Sequence, residues 1–145
     1  MPRQRKLKDG SLWIPHGMIG FPGLTRYRLL PGEAETPFFV LQCEEKKDLR
    51  FPLIDATVVR PDYALSLPEA ALDELEIEGD ADAVILALIT VPRNPRETTV
   101  NLRAPLVAGR KTHVAKQIIL EDESYPLRAL LAREFRTEPG EVRLS

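Results

Sequence analysis

The single cysteine and the two histidines are the residues whose types best suit nucleophilic or metal chemistry. Cys43 and His113 have the chemistry of a nucleophile and its base, because such partners need to be close only in space. No other residue supports an activated thiolate, and His16 lies far from His113 in the sequence. We therefore expect Cys43 to pack in the core and predict no metal, no cofactor and no enzyme. A Cys43 hydrolase or redox protein is the alternative.

Three closely spaced glycines, Gly17, Gly20 and Gly23, are the only candidates for a phosphate-binding loop. No Lys-Ser or Lys-Thr pair follows them, and their spacing does not match G-x-G-x-x-G. We expect a turn that uses the backbone freedom of glycine.

An uninterrupted acidic segment is the clearest electrostatic feature of the chain. It contains no Lys or Arg, and its carboxylates are Glu69, Asp73, Glu74, Glu76, Glu78, Asp80 and Asp82. One interpretation is a solvated helix face and loop. The other is a docking surface for a cationic protein, whose association such a patch accelerates.

The segment from residue 98 to residue 107 is unusually polar for a strand. Asn101 precedes Leu102, and Pro105 interrupts the strand pattern as at a sheet edge or a bulge. Asn101 either hydrogen-bonds a neighbouring turn or belongs, with Leu102 and Pro105, to an edge that a partner reaches.

Length and composition indicate one soluble globular domain. The chain has 145 residues, 13 prolines and a formal net charge of −2, which gives no general reason to expect nucleic acid or a membrane as partner. The longest apolar run, residues 83–91, is too short to cross a bilayer. We predict a flexible basic tail at residues 1–10, whose cations are able to touch RNA or an acidic partner, one domain at residues 11–135, and a loose tail at residues 136–145.

Short apolar runs between Pro and Gly predict a mainly β fold. The predicted strands are residues 11–14, 26–30, 38–42, 49–54, 82–91, 98–102, 106–108 and 114–120. Such a set suggests a closed or nearly closed antiparallel β-barrel-like domain with one or two short helices. One helix is expected after Ser66, a capping residue, to about Leu75, and a second at residues 126–135 with Ser124 as cap.

Taken in order, several segments resemble the FliW family of flagellar assembly factors. They are GFPGL at 20–24, LLP at 29–31, PFFVLQ at 37–42, LRFPLID at 49–55, TVNLRAPLV at 99–107 and QIIL at 117–120. The resemblance covers residues 11–131. The chain departs from the family pattern at Thr25-Arg26, Gln42-Cys43, Asp55-Ala56 and residues 113–116, which are mostly turn positions.

The resemblance implies a cytoplasmic protein with two protein partners, flagellin and the RNA-binding regulator CsrA. Flagellin would occupy the protein until export, after which the freed protein would antagonise CsrA allosterically and relieve repression of flagellin translation. No small-molecule substrate and no direct RNA contact are implied. The acidic segment then becomes the first candidate for CsrA, because CsrA presents cations to RNA. Asp55, Asn101, Leu102 and Pro105 are the weaker interface candidates, and an RNA-binding small β-barrel is the alternative function.

Overall fold

A computed structural model describes residues 9–63 and 67–134, and the side chain of Asp80 is not described. Most of both predicted tails, and the predicted cap Ser66, lie outside these residues. Asp9 and Gly10, which the sequence assigned to the flexible tail, are bonded to the first strands. The Asp9 carboxylate accepts hydrogen bonds from the backbone and hydroxyl of Ser11, and the Gly10 carbonyl accepts one from the Leu29 N–H at 2.6 Å.

The described residues form a mainly β, antiparallel fold with three short helices. The strands are β1 (Ser11–Trp13), β2 (Arg26–Pro31), β3 (Phe38–Cys43), β4 (Arg50–Asp55), β5 (Ala83–Thr90), β6 (Thr99–Val100), β7 (Leu106–Gly109), β8 (Ala115–Gln117) and β9 (Ala129–Leu130). The helices are α1 (Ala56–Val59), α2 (Glu69–Glu74) and α3 (Leu131–Glu134). Each predicted strand overlaps an observed one, which confirms the β-rich class.

The strands form one branched sheet. The order β1-β2-β3-β4-β5-β6-β9 forms the main path, and β7 pairs with β5 and carries β8 on its other side. Only an isolated bridge between Trp13 and Val114, with a 2.9 Å hydrogen bond from the Trp13 N–H to the His113 carbonyl, links β1 to the β7–β8 hairpin among the described residues. The sheet is therefore not closed by a continuous ladder, and the closed-barrel part of the prediction is not confirmed.

Strands β5 and β7 are buried on both faces. Val84 and Leu86 pack in one core cluster with Leu106, whereas Ile85 and Val107 pack in the other. Side chains alternate across a strand, so a strand covered on both sides must be apolar at every position. This explains the continuous apolar run of β5. Pro105 directly precedes β7, which is paired with β5 on one side and with β8 on the other. The prediction of a sheet edge at Pro105 is therefore wrong.

Helix α1 was not predicted, and the second predicted helix is shorter than expected. Asp55 caps α1 by accepting hydrogen bonds from the Thr57 N–H at 3.0 Å and the Thr57 hydroxyl at 2.6 Å. Residues 129–130 pair with β6 instead of forming a helix, so α3 begins only at Leu131. Ser124 does not cap it; its N–H donates to the Asp122 carboxylate.

The glycine-rich segment forms a turn, as predicted. Gly17 has φ +72°, and an added Cβ there would lie 2.3 Å from the Phe21 carbonyl oxygen. The Phe21 N–H donates to the Met18 carbonyl at 2.7 Å, which closes the turn. A non-glycine residue at 17 would therefore clash as well as adopt a left-handed backbone.

Candidate partner-binding surface

Helix α2 holds the acidic segment against the core. Ala71 and Leu75 are buried, so the helix turns its acidic positions outward. It begins after Pro68, whose backbone carbonyl accepts the Ala71 N–H at 3.1 Å and which provides no side-chain cap.

The C-terminal end of α2 is a Schellman motif with glutamate at the left-handed position. The Ile77 N–H donates to the Leu72 carbonyl at 2.9 Å, and the Glu76 N–H donates to the Asp73 carbonyl at 3.1 Å. Glu76 itself has φ +59°, where glycine is usual. Ile77 and Leu72 pack in the same core cluster, so the motif directs Glu76 outward and returns the chain to the core.

Four carboxylates of this segment are exposed and have no ion pair among the described residues: Glu69, Asp73, Glu76 and Glu78. We call these four residues the acidic surface. They lie on α2 and on the turn that follows it, with no cation between them in the sequence. Such a surface favours a cationic partner over an anionic one.

Glu74 is different, because the fold supplies cations to it from distant segments. The Lys116 Nζ atom lies 2.9 Å from Glu74 Oε1, and the His16 Nε2 atom lies 3.4 Å from Glu74 Oε2. The hydrogen bond from Lys116 is the main cause that lowers the pKa of Glu74 below its ordinary value. Glu74 therefore joins α2 to β8 and to the loop after β1, and we exclude it from the acidic surface.

Asp82, at the other end of the segment, is also compensated. Its carboxylate lies 3.7 Å from the Lys111 Nζ atom, and its carbonyl accepts the Arg110 N–H at 2.7 Å. The sequence showed an unbroken acidic run, whereas the structure pairs Glu74 within it and Asp82 at its end and leaves the acidic surface without ion pairs among the described residues.

Two exposed isoleucines flank β8, and sequence reasoning did not single them out. The Ile19 N–H donates to the Gln117 side-chain oxygen at 2.8 Å, and Ile119 follows Gln117 by two positions. Ile19 is 55% exposed and Ile119 is 64% exposed. Lys116, which precedes Gln117, pairs with Glu74 of the acidic helix, so these isoleucines are the apolar candidates for an interface that includes this strand.

The weaker interface candidates have structural roles. Asp55 is the buried cap of α1, and Leu102 and Pro105 are buried. The Asn101 side chain accepts hydrogen bonds from the Arg103 N–H at 2.9 Å and the Ala104 N–H at 3.0 Å, which is the turn-stabilising alternative given above. None of these side chains joins the acidic surface.

The candidates for chemistry are not assembled into a site. Cys43 is fully buried in the core cluster with Tyr27, and the His113 Nδ1 atom lies 3.5 Å from an Asp9 carboxylate oxygen. Residues 9–63 and 67–134 contain no group of three or more His, Cys, Asp or Glu side chains placed to hold a metal ion. None of the helices within these residues has the length and apolarity needed to span a bilayer.

An open groove of about 600 Å³ lies beside the bridge between β1 and the β7–β8 hairpin. Trp13 lines it and is 54% exposed. Its charged lining residues are of both signs, namely Arg26, Glu44 and Glu45. The groove therefore does not select a partner by charge.

Comparison with known proteins identifies relatives of this chain and of its fold. Residues 5–131 match the family model described as FliW protein. A flagellar assembly factor FliW of Natranaerobius thermophilus is 38% identical over 119 residues, covering 81% of this chain and 79% of that protein. One of Thermotoga maritima is 34% identical over 132 residues, covering 90% and 89%. A solved structure titled as the crystal structure of the flagellar assembly factor FliW superposes with a TM-score of 0.76 at 31% identity, covering 84% of this chain and 85% of that one.

Proposed function

The chain belongs to the FliW family of flagellar assembly factors, and from this premise we propose that it is a cytoplasmic regulator that binds flagellin and CsrA in turn. While flagellin is present it occupies the protein. After flagellin export, the freed protein binds CsrA and antagonises it allosterically, which relieves repression of flagellin translation. The process is a competition between two binding equilibria and contains no chemical step.

The observation that carries the CsrA part of this proposal is the acidic surface. Glu69, Asp73, Glu76 and Glu78 are exposed and unneutralised within the described residues. A protein that binds RNA must present cations to the phosphates. The acidic surface attracts such a protein and repels its RNA, and both effects favour release of the message.

The exposed isoleucines are the candidates for the apolar part of this interface, beside the charged part formed by the acidic surface. Ile19 and Ile119 adjoin the strand that Lys116 ties to α2. Binding energy in interfaces comes mainly from desolvated apolar anchors, while the charged rim determines partner choice and association rate. We propose that the CsrA interface contains both parts.

Co-purification with tagged CsrA, with and without excess flagellin, tests the switch. We expect the chain to be retained by CsrA alone and released when flagellin is added in excess. Retention that flagellin leaves unchanged would contradict the competition. Failure to bind CsrA under any condition would contradict the proposed function.

The RNA-binding alternative is separated by a gel-shift experiment with flagellin leader RNA. On our proposal the chain alone leaves the RNA unshifted and releases it from preformed CsrA complexes. A shift by the chain alone would favour the alternative. The acidic surface opposes that outcome because it repels phosphate.

A further inference from the structure

Three chain segments meet at the end of β5 that lies farthest from the acidic surface. Thr90 pairs with Thr99, and Thr99 pairs in turn with Leu130. Beyond this row lie residues 91–93 after β5, residues 96–98 before β6 and residues 131–133 after β9, so the three segments leave the sheet at the same end. The Leu131 N–H, which donates to the Thr98 carbonyl at 2.9 Å, holds two of these segments together.

Arginine is the characteristic residue of this end of the sheet. Arg93, Arg96 and Arg133 lie just beyond the row, and Arg128 lies two residues before Leu130. All four are exposed and none has an ion pair within the described parts of the chain. We call these four residues the arginine edge.

Few carboxylates neutralise the arginine edge locally. Glu134 belongs to α3 but is already paired with Arg60, whose Nε atom lies 2.9 Å from Glu134 Oε1. That bond is the main reason that the pKa of Arg60 is raised, so the charge of Glu134 is already compensated by a cation outside the arginine edge. Glu97 is the one other carboxylate on the three segments. The edge therefore keeps a positive excess.

Exposed aliphatic side chains lie among these arginines. Val91 is 54% exposed and Leu127 is 56% exposed. In addition, β9 pairs only with β6 among the described strands, so its outer backbone groups face away from the sheet. An open strand edge can accept an extended peptide by main-chain hydrogen bonding.

We propose that the arginine edge is a second docking surface, and that it binds an extended acidic protein segment carrying an apolar side chain. Carboxylates of the segment pair with the guanidinium groups, which bind carboxylates in two-pronged geometry. Its apolar side chain covers Val91 or Leu127. Single-stranded RNA fits less well, because proteins that bind it stack its bases on aromatic rings. The exposed large apolar residues at this edge are aliphatic.

The test uses the full chain and a fluorescein-labelled synthetic peptide of alternating glutamate and leucine as probe. Its glutamine counterpart and poly-uridine RNA are the competitor controls. Fluorescence anisotropy is measured for the unmodified chain, for the double variant Arg93→Glu/Arg96→Glu and for the matched control Lys47→Glu/Arg50→Glu. The control residues are exposed, unpaired within the described residues and identical in formal charge change.

We expect the acidic peptide to bind the unmodified chain and to lose about tenfold or more in affinity in Arg93→Glu/Arg96→Glu, since each exposed pair contributes little and reversal also adds repulsion. The control variant is expected to lose less than about threefold. A milder variant, Arg93→Gln/Arg96→Gln, keeps the test valid if charge reversal impairs folding, and is expected to weaken binding by an intermediate factor.

Three outcomes would overturn the proposal: no binding of the acidic peptide, an equal loss in the control variant, or tighter binding of poly-uridine than of the peptide. Each leaves the CsrA proposal untouched, because that one rests on the acidic surface.

Discussion

Reversing two charges of the acidic surface is the sharpest test of how this protein selects a cationic partner. The variant Glu69→Lys/Glu78→Lys changes one residue at the start of α2 and one in the turn beyond it. Both side chains are exposed, and their replacement breaks no ion pair among the described residues. Glu74 is not changed, because its carboxylate contacts the side chains of Lys116 and His16.

The expected magnitude follows from the exposure of these groups. An exposed ion pair contributes up to about fivefold to affinity, and reversal replaces attraction by repulsion, so two reversals should weaken CsrA binding by about tenfold to a hundredfold. The screening length falls from about 10 Å at 0.1 M salt to about 3 Å at 1 M. We therefore expect most of the difference between variant and unmodified chain to disappear at high salt.

Isothermal titration calorimetry against CsrA at low and high salt measures this difference. The matched control is Glu33→Lys/Glu35→Lys, which makes the same charge change at exposed residues of the loop between β2 and β3, where no proposed interface residue lies. Equal losses in the two variants would show that only net charge matters, and an unchanged affinity at low salt would remove the acidic surface from the mechanism. A loss that persists at high salt would mean that the contact is not mainly electrostatic.

Three further predictions concern the framework that positions this surface. Glu76→Gly should raise the free energy of unfolding by about 0.5–1 kcal/mol in urea titrations, because glycine adopts φ +59° without strain; a loss of stability would contradict the Schellman assignment. Tyr63→Phe should lower the free energy of unfolding by about 1–3 kcal/mol, since the buried Tyr63 hydroxyl donates to the Leu102 carbonyl. An unchanged free energy of unfolding would mean that another group donates a hydrogen bond to that carbonyl. Burial raises the pKa of Tyr27 to about 12 from 10.0, so its contribution to stability is complete below pH 10 and is lost as the pH rises towards 12. Ultraviolet difference titration against Tyr27→Phe checks this, and ionisation of Tyr27 near pH 10 in the folded protein would refute it.

The strands of this fold could be predicted from the sequence because most of them coincide with a short apolar run in the chain. Proline and glycine interrupt the chain between short apolar runs, and β5 is apolar at nearly every position because both of its faces are covered. The helix predicted at residues 126–135 is mostly wrong, because here a tertiary contact and not a local signature determines the structure. Their apolar spacing suits a helix, but pairing of Ala129 and Leu130 with β6 prevails over local preference.

Which carboxylates of the acidic segment form ion pairs could not be predicted from the sequence. Its partners Lys116, Lys111 and His16 come from distant positions, and only the tertiary structure brings the first two to Glu74 and Asp82. Exposure of Ile19 and Ile119 is equally a tertiary property, because isoleucine in such segments is normally buried. Spacing along the chain identified which segment carries charge, but not which of its charges are free.

The two charged surfaces are separated by the length of β5, and this separation constrains how partners exclude each other. The eight residues of β5 span about 25 Å, well beyond the screening length in physiological salt. A charge bound at the arginine edge therefore has little electrostatic effect at α2. Both faces of β5 are packed in the core, so the strand offers no hinge to transmit a change of shape. Two partners that exclude each other must then overlap at the acidic surface itself, whereas an acidic segment on the arginine edge is expected to bind together with CsrA.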